Sequence, residues 1–276
     1  MLKTNKRTLL LFLLPAFFAV FATVIWPTIY TFYLAFSEGA KYFLILIRDP
    51  VFFTSLQNLG IFVLTVTIAE LFLGIGMATF AQGLTARSKS IMQTIFIVPI
   101  IVTPIAVAAI WRIMYHPLFG LFNFTLTSIG LPAQAWLGST ALAMPSVMMI
   151  DIWQWSFFFA LLLLAGLSAM PPETSEASRI DGASRWQIFR HIELPHLKDL
   201  IIVVLIIRVI DACKTFEIFW GTTGGGPGFS TMTLNVYGYS QTFRWGHVQY
   251  GAVISITLLL VLILSTIFLL KRLRSK

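Results

Sequence analysis

Charged side chains are rare in this chain, and those inside its apolar stretches fall at a few positions. Between residues 197 and 220 stand Arg208, Asp211, Lys214 and Glu217, each three from the next. A charge at the centre of a bilayer costs about 2.5–3.5 kcal/mol on insertion scales, so such residues face protein or water. On a helix each step of three drifts by roughly 60°, so the four sweep about half a turn and cannot all face one pathway. Two uses fit this pattern. Opposite charges can neutralise one another, Arg208 with Asp211 and Lys214 with Glu217. Alternatively, Lys214 or Glu217 can hydrogen-bond a hydroxyl-rich solute. A second group, Asp151, Trp153, Gln154 and Trp155, sets indole rings beside a carboxylate and an amide. That mixture suits a sugar, whose C–H face stacks on a ring while its hydroxyls bond polar groups. An aromatic belt at a membrane interface uses the same residue types. Glu70 stands alone in another apolar run, where a hydrogen bond to a neighbouring helix is its expected role.

Catalytic patterns are missing. The glycine cluster from Gly221 to Gly228 has Pro227 where a phosphate loop needs lysine, so it is expected to be a turn. No zinc-type His-Glu-x-x-His, paired-cysteine spacing or nucleophile elbow occurs, and Cys213 is the one cysteine. The chain is therefore expected to be no enzyme, to hold no cofactor or metal, and to leave any ATP hydrolysis to a partner.

The elements that must position these residues are membrane spans. Of the 276 residues 58% are hydrophobic and only 11% charged, against about 25% charged in soluble domains. Six apolar runs, at about 9–36, 58–80, 91–115, 140–167, 197–220 and 252–270, are each close to the ~20 residues that cross a bilayer. The first is longer than the core of a signal peptide, so it is expected to be a span and not a cleaved leader. With the N-terminus inside, the inner segments hold thirteen of the nineteen Lys and Arg: Lys3, Lys6, Arg7, Arg87, Lys89, Arg179, Arg185, Arg190, Lys198, Lys271, Arg272, Arg274 and Lys276. By the positive-inside rule both termini are cytoplasmic. The net charge of +8 is explained by this placement and calls for no nucleic-acid partner.

One charged, amphipathic island, residues 171–196, interrupts the oil on the cytoplasmic side. Ala177, Ile180, Ala183, Trp186, Phe189 and Ile192 recur every third position, and Gly182 divides the run into two short helices with a bend. Pro171 and Pro172 suit the start of the first helix, and Pro195 is expected to close the second. Such a segment can lie on a membrane surface or dock its apolar face in a protein groove.

The pattern Glu176-Ala177, Asp181-Gly182-Ala183, then Ile192, Leu194-Pro195 resembles the EAA loop of binding-protein-dependent ABC transporter permeases. Ser178 replaces the motif's second alanine. Trp111, Gly120-Leu-Phe-Asn123, Trp136-Leu137, Leu164-Ala-Gly-Leu-Ser-Ala-Met-Pro171 and Gly224-Gly-Gly-Pro227 extend the resemblance over roughly residues 50–256, toward permeases of the maltose and glycerol-phosphate type. Lys41 to Ile47 lacks the pattern expected there. The resemblance implies an all-α integral membrane protein of the type I ABC importer permease fold. It has six transmembrane helices and a cytoplasmic coupling helix between spans four and five, in a single permease domain, 1–276. It implies that Glu176, Ala177, Ile180, Asp181, Gly182, Ala183 and Trp186 contact an ATPase subunit that binds ATP and magnesium. Further implied partners are a second permease subunit, two ATPase subunits in all, a soluble solute-binding protein, and a sugar, polyol or sugar derivative as cargo, in a bacterial cytoplasmic membrane. An ion-gradient-driven secondary transporter is the competing class. It usually has more spans, inverted repeats or broken midplane helices, and no repeat is visible.

Overall fold

The computed structural model describes the backbone of residues 6–274, with side chains except at 6–12, 172, 175–177, 269 and 272–274. Among the described residues it is helical, without strands. α1 (Lys6–Val20), a π turn (Phe21–Ile25) and α2 (Trp26–Phe36) form one continuous rod. The short α3 (Lys41–Leu46) leads to α4 (Pro50–Gln82). α5 (Ala86–Ile101) and α6 (Pro104–Met114) follow, then α7 (Leu121–Ser128) and α8 (Ala143–Ser168). The charged island forms α9 (Pro172–Ile180) and α10 (Arg185–Ile188), and a second π turn (Phe189–Glu193) runs into α11 (Leu194–Lys214). α12 (Glu217–Thr222), α13 (Leu234–Tyr239), a third π turn (Ser240–Arg244) and α14 (Val248–Arg274) complete the chain.

Among the described residues four helices are long and apolar enough to cross a membrane: Leu13–Phe36, Pro50–Gln82, Ala143–Ser168 and Val248–Phe268. The α5–α6 pair makes a fifth crossing if taken as one span, bent by 91°. α11 has 21 residues but carries Lys198, Asp199, Arg208, Asp211 and Lys214, which lower its hydropathy.

Three differences from the expected spans have local causes. α4 begins at Pro50, not near residue 58, because Asp49 Oδ1 accepts from Val51 N at 2.8 Å and Pro50 occupies the first turn. The run 91–115 is broken because Pro104 cannot donate to the preceding turn and forces Thr103 into extended geometry (ψ 141°). The run 197–220 ends at Lys214, so Lys214 and Glu217 lie on different helices. Pro195 also departs from expectation. It closes no helix but sits in the first turn of α11, where Leu194 N bonds to Phe189 O across the π turn. Pro27 follows the first π turn in the same way, two residues after its end. In both cases the missing proline N–H removes an i→i−4 bond and the turn before it widens.

The pairing of helix ends shows that successive membrane helices run antiparallel. Lys89 Nζ bonds Ser168 Oγ at 2.7 Å and also Gln82, gathering the ends of α4, α5 and α8. At the opposite end Asp49 accepts from Tyr237 and Tyr250, gathering α4, α13 and α14. Burial, and then the bond to Asp49, pushes the Tyr237 phenol up to about 12, so it remains a donor at neutral pH.

α4 and α8 form the spine. Gly74, Ala78 and Ala81 of α4 are buried against Phe159, Ala160, Leu163 and Leu164 of α8. A Cβ at Gly74 would stand 2.3 Å from the Phe159 Cβ, so only glycine permits this approach. Small residues let helix backbones close up where water supplies no driving force. The larger apolar core surrounds Phe62, Tyr115, Phe219 and Val253 toward the Asp49 end.

Candidate functional site

The close α4–α8 contact sets the helix rotations, and with them an ion cluster inside the bundle. Arg208 of α11 is only 1% exposed. Its Nε and Nη2 reach Glu70 Oε2 and Oε1 at 2.6 and 2.8 Å, a bidentate fork on α4. Nη2 also bonds Asp151 of α8, and Nη1 lies 3.4 Å from Asp211 Oδ2. The guanidinium carbon sits 5.3 Å from the Trp155 ring centroid. One arginine thus ties three helices, with two fully buried carboxylates around it. Asp151 Oδ1 has no hydrogen-bond partner among the described residues.

The fifth-run charges therefore divide. The expected Arg208–Asp211 contact forms, but it is the longest of Arg208's four acid contacts, and Glu70 is not isolated. Lys214 turns back to Asp211 at 3.9 Å and does not pair with Glu217. Glu217 opens α12, where a carboxylate suits the positive helix start. Asp211 and Lys214 remain accessible, 38% and 56% exposed, while Trp155 is half-buried.

The four residues of the second group point different ways. Trp153 and Trp155, about 200° apart on the helix, do not share a face. Trp153 packs edge-on against Trp111 of α6, with centroids 5.7 Å apart. Gln154 is 1% exposed and its amide donates to the carbonyls of Val102 (2.9 Å) and Pro99 (3.5 Å). It caps the break between α5 and α6, whose freed carbonyls need a donor. Asp151 is occupied by Arg208. Trp155 reaches α11 through the buried Arg208, on which Asp151 and Asp211 also converge.

A second organising residue, Asn123, stands in the Gly120-Leu-Phe-Asn123 stretch of the resemblance, which gave it no role. Asn123 Nδ2 donates to Pro117 O and Gln134 O, while its Oδ1 accepts from Gln134 N and Trp136 Nε1. Three of its four partners are backbone atoms, so the residue types do not show what it binds. The glycine cluster is a turn, closed by Thr223–Thr231 (2.7 Å) and pinned to α4 by Asn58.

In the island, Gly182 adopts φ +80°. Gly182 N bonds Arg179 O at 3.1 Å and Ala183 N bonds Ser178 O at 3.0 Å, the pair of bonds that ends a helix on a left-handed glycine. The next helix opens on a capping box: Ser184 Oγ accepts from Gln187 N, and Gln187 Oε1 accepts from Ser184 N. Across this bend the apolar stripe splits. Ile180 and Trp186 are 86% and 64% exposed, Ala183, Phe189 and Ile192 half-buried. Asp181 is exposed, while the side chains of Glu176 and Ala177 lie outside the described residues. A groove of about 380 Å³ runs beside Ser178, Asp181, Gly182 and Gln187.

Relatives place this arrangement. Residues 70–276 match the binding-protein-dependent transport system inner membrane component, and the chain belongs to that family. It is thus a multi-pass inner-membrane permease of the ABC importer class. It is 31% identical over 266 residues to a probable ABC transporter permease protein of Pyrococcus horikoshii, covering 92% of this chain and 91% of the relative. It is 37% identical over 212 residues to the trehalose/maltose transport system permease protein MalF of Thermococcus litoralis, with 74% and 72% covered. A sulfoquinovosyl glycerol transport system permease protein, SmoG of Agrobacterium fabrum, is 31% identical over 86% of this chain and 77% of its own length. The fold matches a chain of a bacterial ABC transporter involved in import of the acidic polysaccharide alginate. There the TM-score is 0.85 at 23% identity, covering 98% of this chain and 96% of that one.

Proposed function

We propose that this chain is one of two permease subunits of an importer for a sugar, polyol or sugar derivative, handed over by a soluble binding protein. Two separate ATPase subunits bind ATP and magnesium; this chain holds no cofactor. Residues 1–276 form a single permease domain with both termini in the cytoplasm. The names of the Thermococcus and Agrobacterium relatives support a sugar-like cargo. The observation that carries the coupling assignment is the uncovered Ile180 and Trp186 on a hairpin bent at Gly182. Exposed apolar side chains beside an acidic residue suit a protein groove better than open water. Glu176, Ala177, Asp181 and Ala183 complete the surface the ATPase grips.

The solute pathway runs along the face where α11 presents Asp211 and Lys214, with Trp155 against the neighbouring Arg208 and Glu217 further along the chain. Accessible charges on a largely apolar helix are expected to face water or protein and not lipid. An indole with a carboxylate and an ammonium provides both stacking and hydrogen bonds for a polyol. Arg208, Glu70 and Asp151 form the rigid backing of that face. Uptake into vesicles containing the chain and its co-purifying partners tests the assignment. Uptake is expected to need ATP and to survive an ionophore; uptake that persists without ATPase activity and collapses with the ionophore overturns it.

A further inference from the structure

The hairpin α9–α10 stands off the membrane helices. Among the described residues α10 packs mainly on the π turn that follows it, and α9 packs extensively on no membrane helix. Beside it lies a cavity of about 820 Å³, with Phe72, Ile75 and Gly76 of α4 on one wall and Trp186, Phe189 and Leu194 on the other. Arg185 also lines this cavity. Its Nη1 ion-pairs with Glu193, and its Nη2 lies 3.5 Å from the Thr79 carbonyl on α4. The Glu193 side chain is 2% exposed, and its Oε2 has no hydrogen-bond partner among the described residues. The carboxylate therefore depends on Arg185 for compensation, since a buried charge stripped of its partner is strongly unfavourable.

Both ends of this contact lead to the Arg208 cluster. Thr79 is nine residues from Glu70 along α4, about 14 Å at helical rise, and Glu193 enters α11, which carries Arg208. We propose that Arg185 is a positioning residue for transport: a strut that fastens the hairpin to α4 and α11 together. A push on Ile180 and Trp186 then moves both helices, whereas an unfastened hairpin swings into the cavity and leaves α4 behind. The strut rests on the reading of residues 171–196 as the ATPase contact.

The test uses the whole importer with its partner subunits, reconstituted in proteoliposomes, reading solute moved per ATP hydrolysed. Arg185→Ala is expected to lower that ratio by roughly twofold to thirtyfold, the range typical of residues that carry coupling between sites. Arg185→Lys should restore much of the ratio. Glu193→Gln, which removes the stranded charge, should not lower it further when added to Arg185→Ala, and should restore any lost complex yield. An Ile180→Cys variant is cross-linked to the ATPase in parallel. If the cross-link forms and Arg185→Ala keeps the parental ratio, the strut is wrong while the ATPase contact stands. If no cross-link forms, the contact itself is wrong and the strut falls with it. Parallel losses of uptake, hydrolysis and yield in all variants, Lys included, would reduce Arg185 to a folding role and overturn the proposal.

Discussion

Gly182→Val isolates the bend in the hairpin from everything around it. At φ +80° an L-residue suffers the left-handed penalty, roughly 1–2 kcal/mol, and a β-branched side chain is worse placed there than most. No heavy atom lies within 4 Å of a Cβ built at Gly182, so the penalty is conformational and not steric crowding by neighbours. The variant can escape it only by leaving the left-handed region. That breaks the bonds from Gly182 N and Ala183 N, at about 0.5–1.5 kcal/mol each. Either way the bent hairpin loses on the order of 1–2 kcal/mol relative to straighter forms, a factor of about 5–30 in population. Solute moved per ATP in proteoliposomes should fall by a comparable factor, while membrane insertion is unchanged. Gly182→Asn is the control, because asparagine tolerates this conformation, and it should stay near the parent. Unchanged coupling in Gly182→Val, or equal losses in Val and Asn, would refute the bend as the element that matters.

Two further substitutions probe the interior. Arg208→Met leaves Glu70 and Asp151 buried without their cation and should destabilise the permease by about 3–5 kcal/mol; adding Glu70→Gln should recover part of the loss, read as thermal unfolding in detergent. Gly74→Val should separate α4 from α8 at Phe159 and lower stability by about 1–3 kcal/mol, typical of overpacking, whereas Gly76→Val, with nothing within 4 Å of its Cβ, should be near neutral in the same assay.

What could be read from residues alone is local. A run of apolar side chains has one physical meaning at ~20 residues whatever it packs against, so the membrane helices and the hydrophilic island were legible. Gly182 can enter the left-handed region that other residues avoid, and prolines fix their own φ, so the hairpin bend and the α5–α6 break lay near visible punctuation. The Ser184–Gln187 capping box was equally local and could have been found from its spacing.

What lay beyond the sequence is rotation and reach. Arg208 meets Glu70 and Asp151 across 138 and 57 residues, and that meeting depends on how each helix is turned about its axis. The turn is set where Gly74 lets α4 close on Phe159, a contact no periodicity reports. The same rotation sends Trp153 to α6 and Trp155 to Arg208, and it assigns Gln154 to a broken helix end. Whether a charged residue in an oily helix is a pathway group or a structural one is decided by its partner, and partners are chosen by packing in three dimensions.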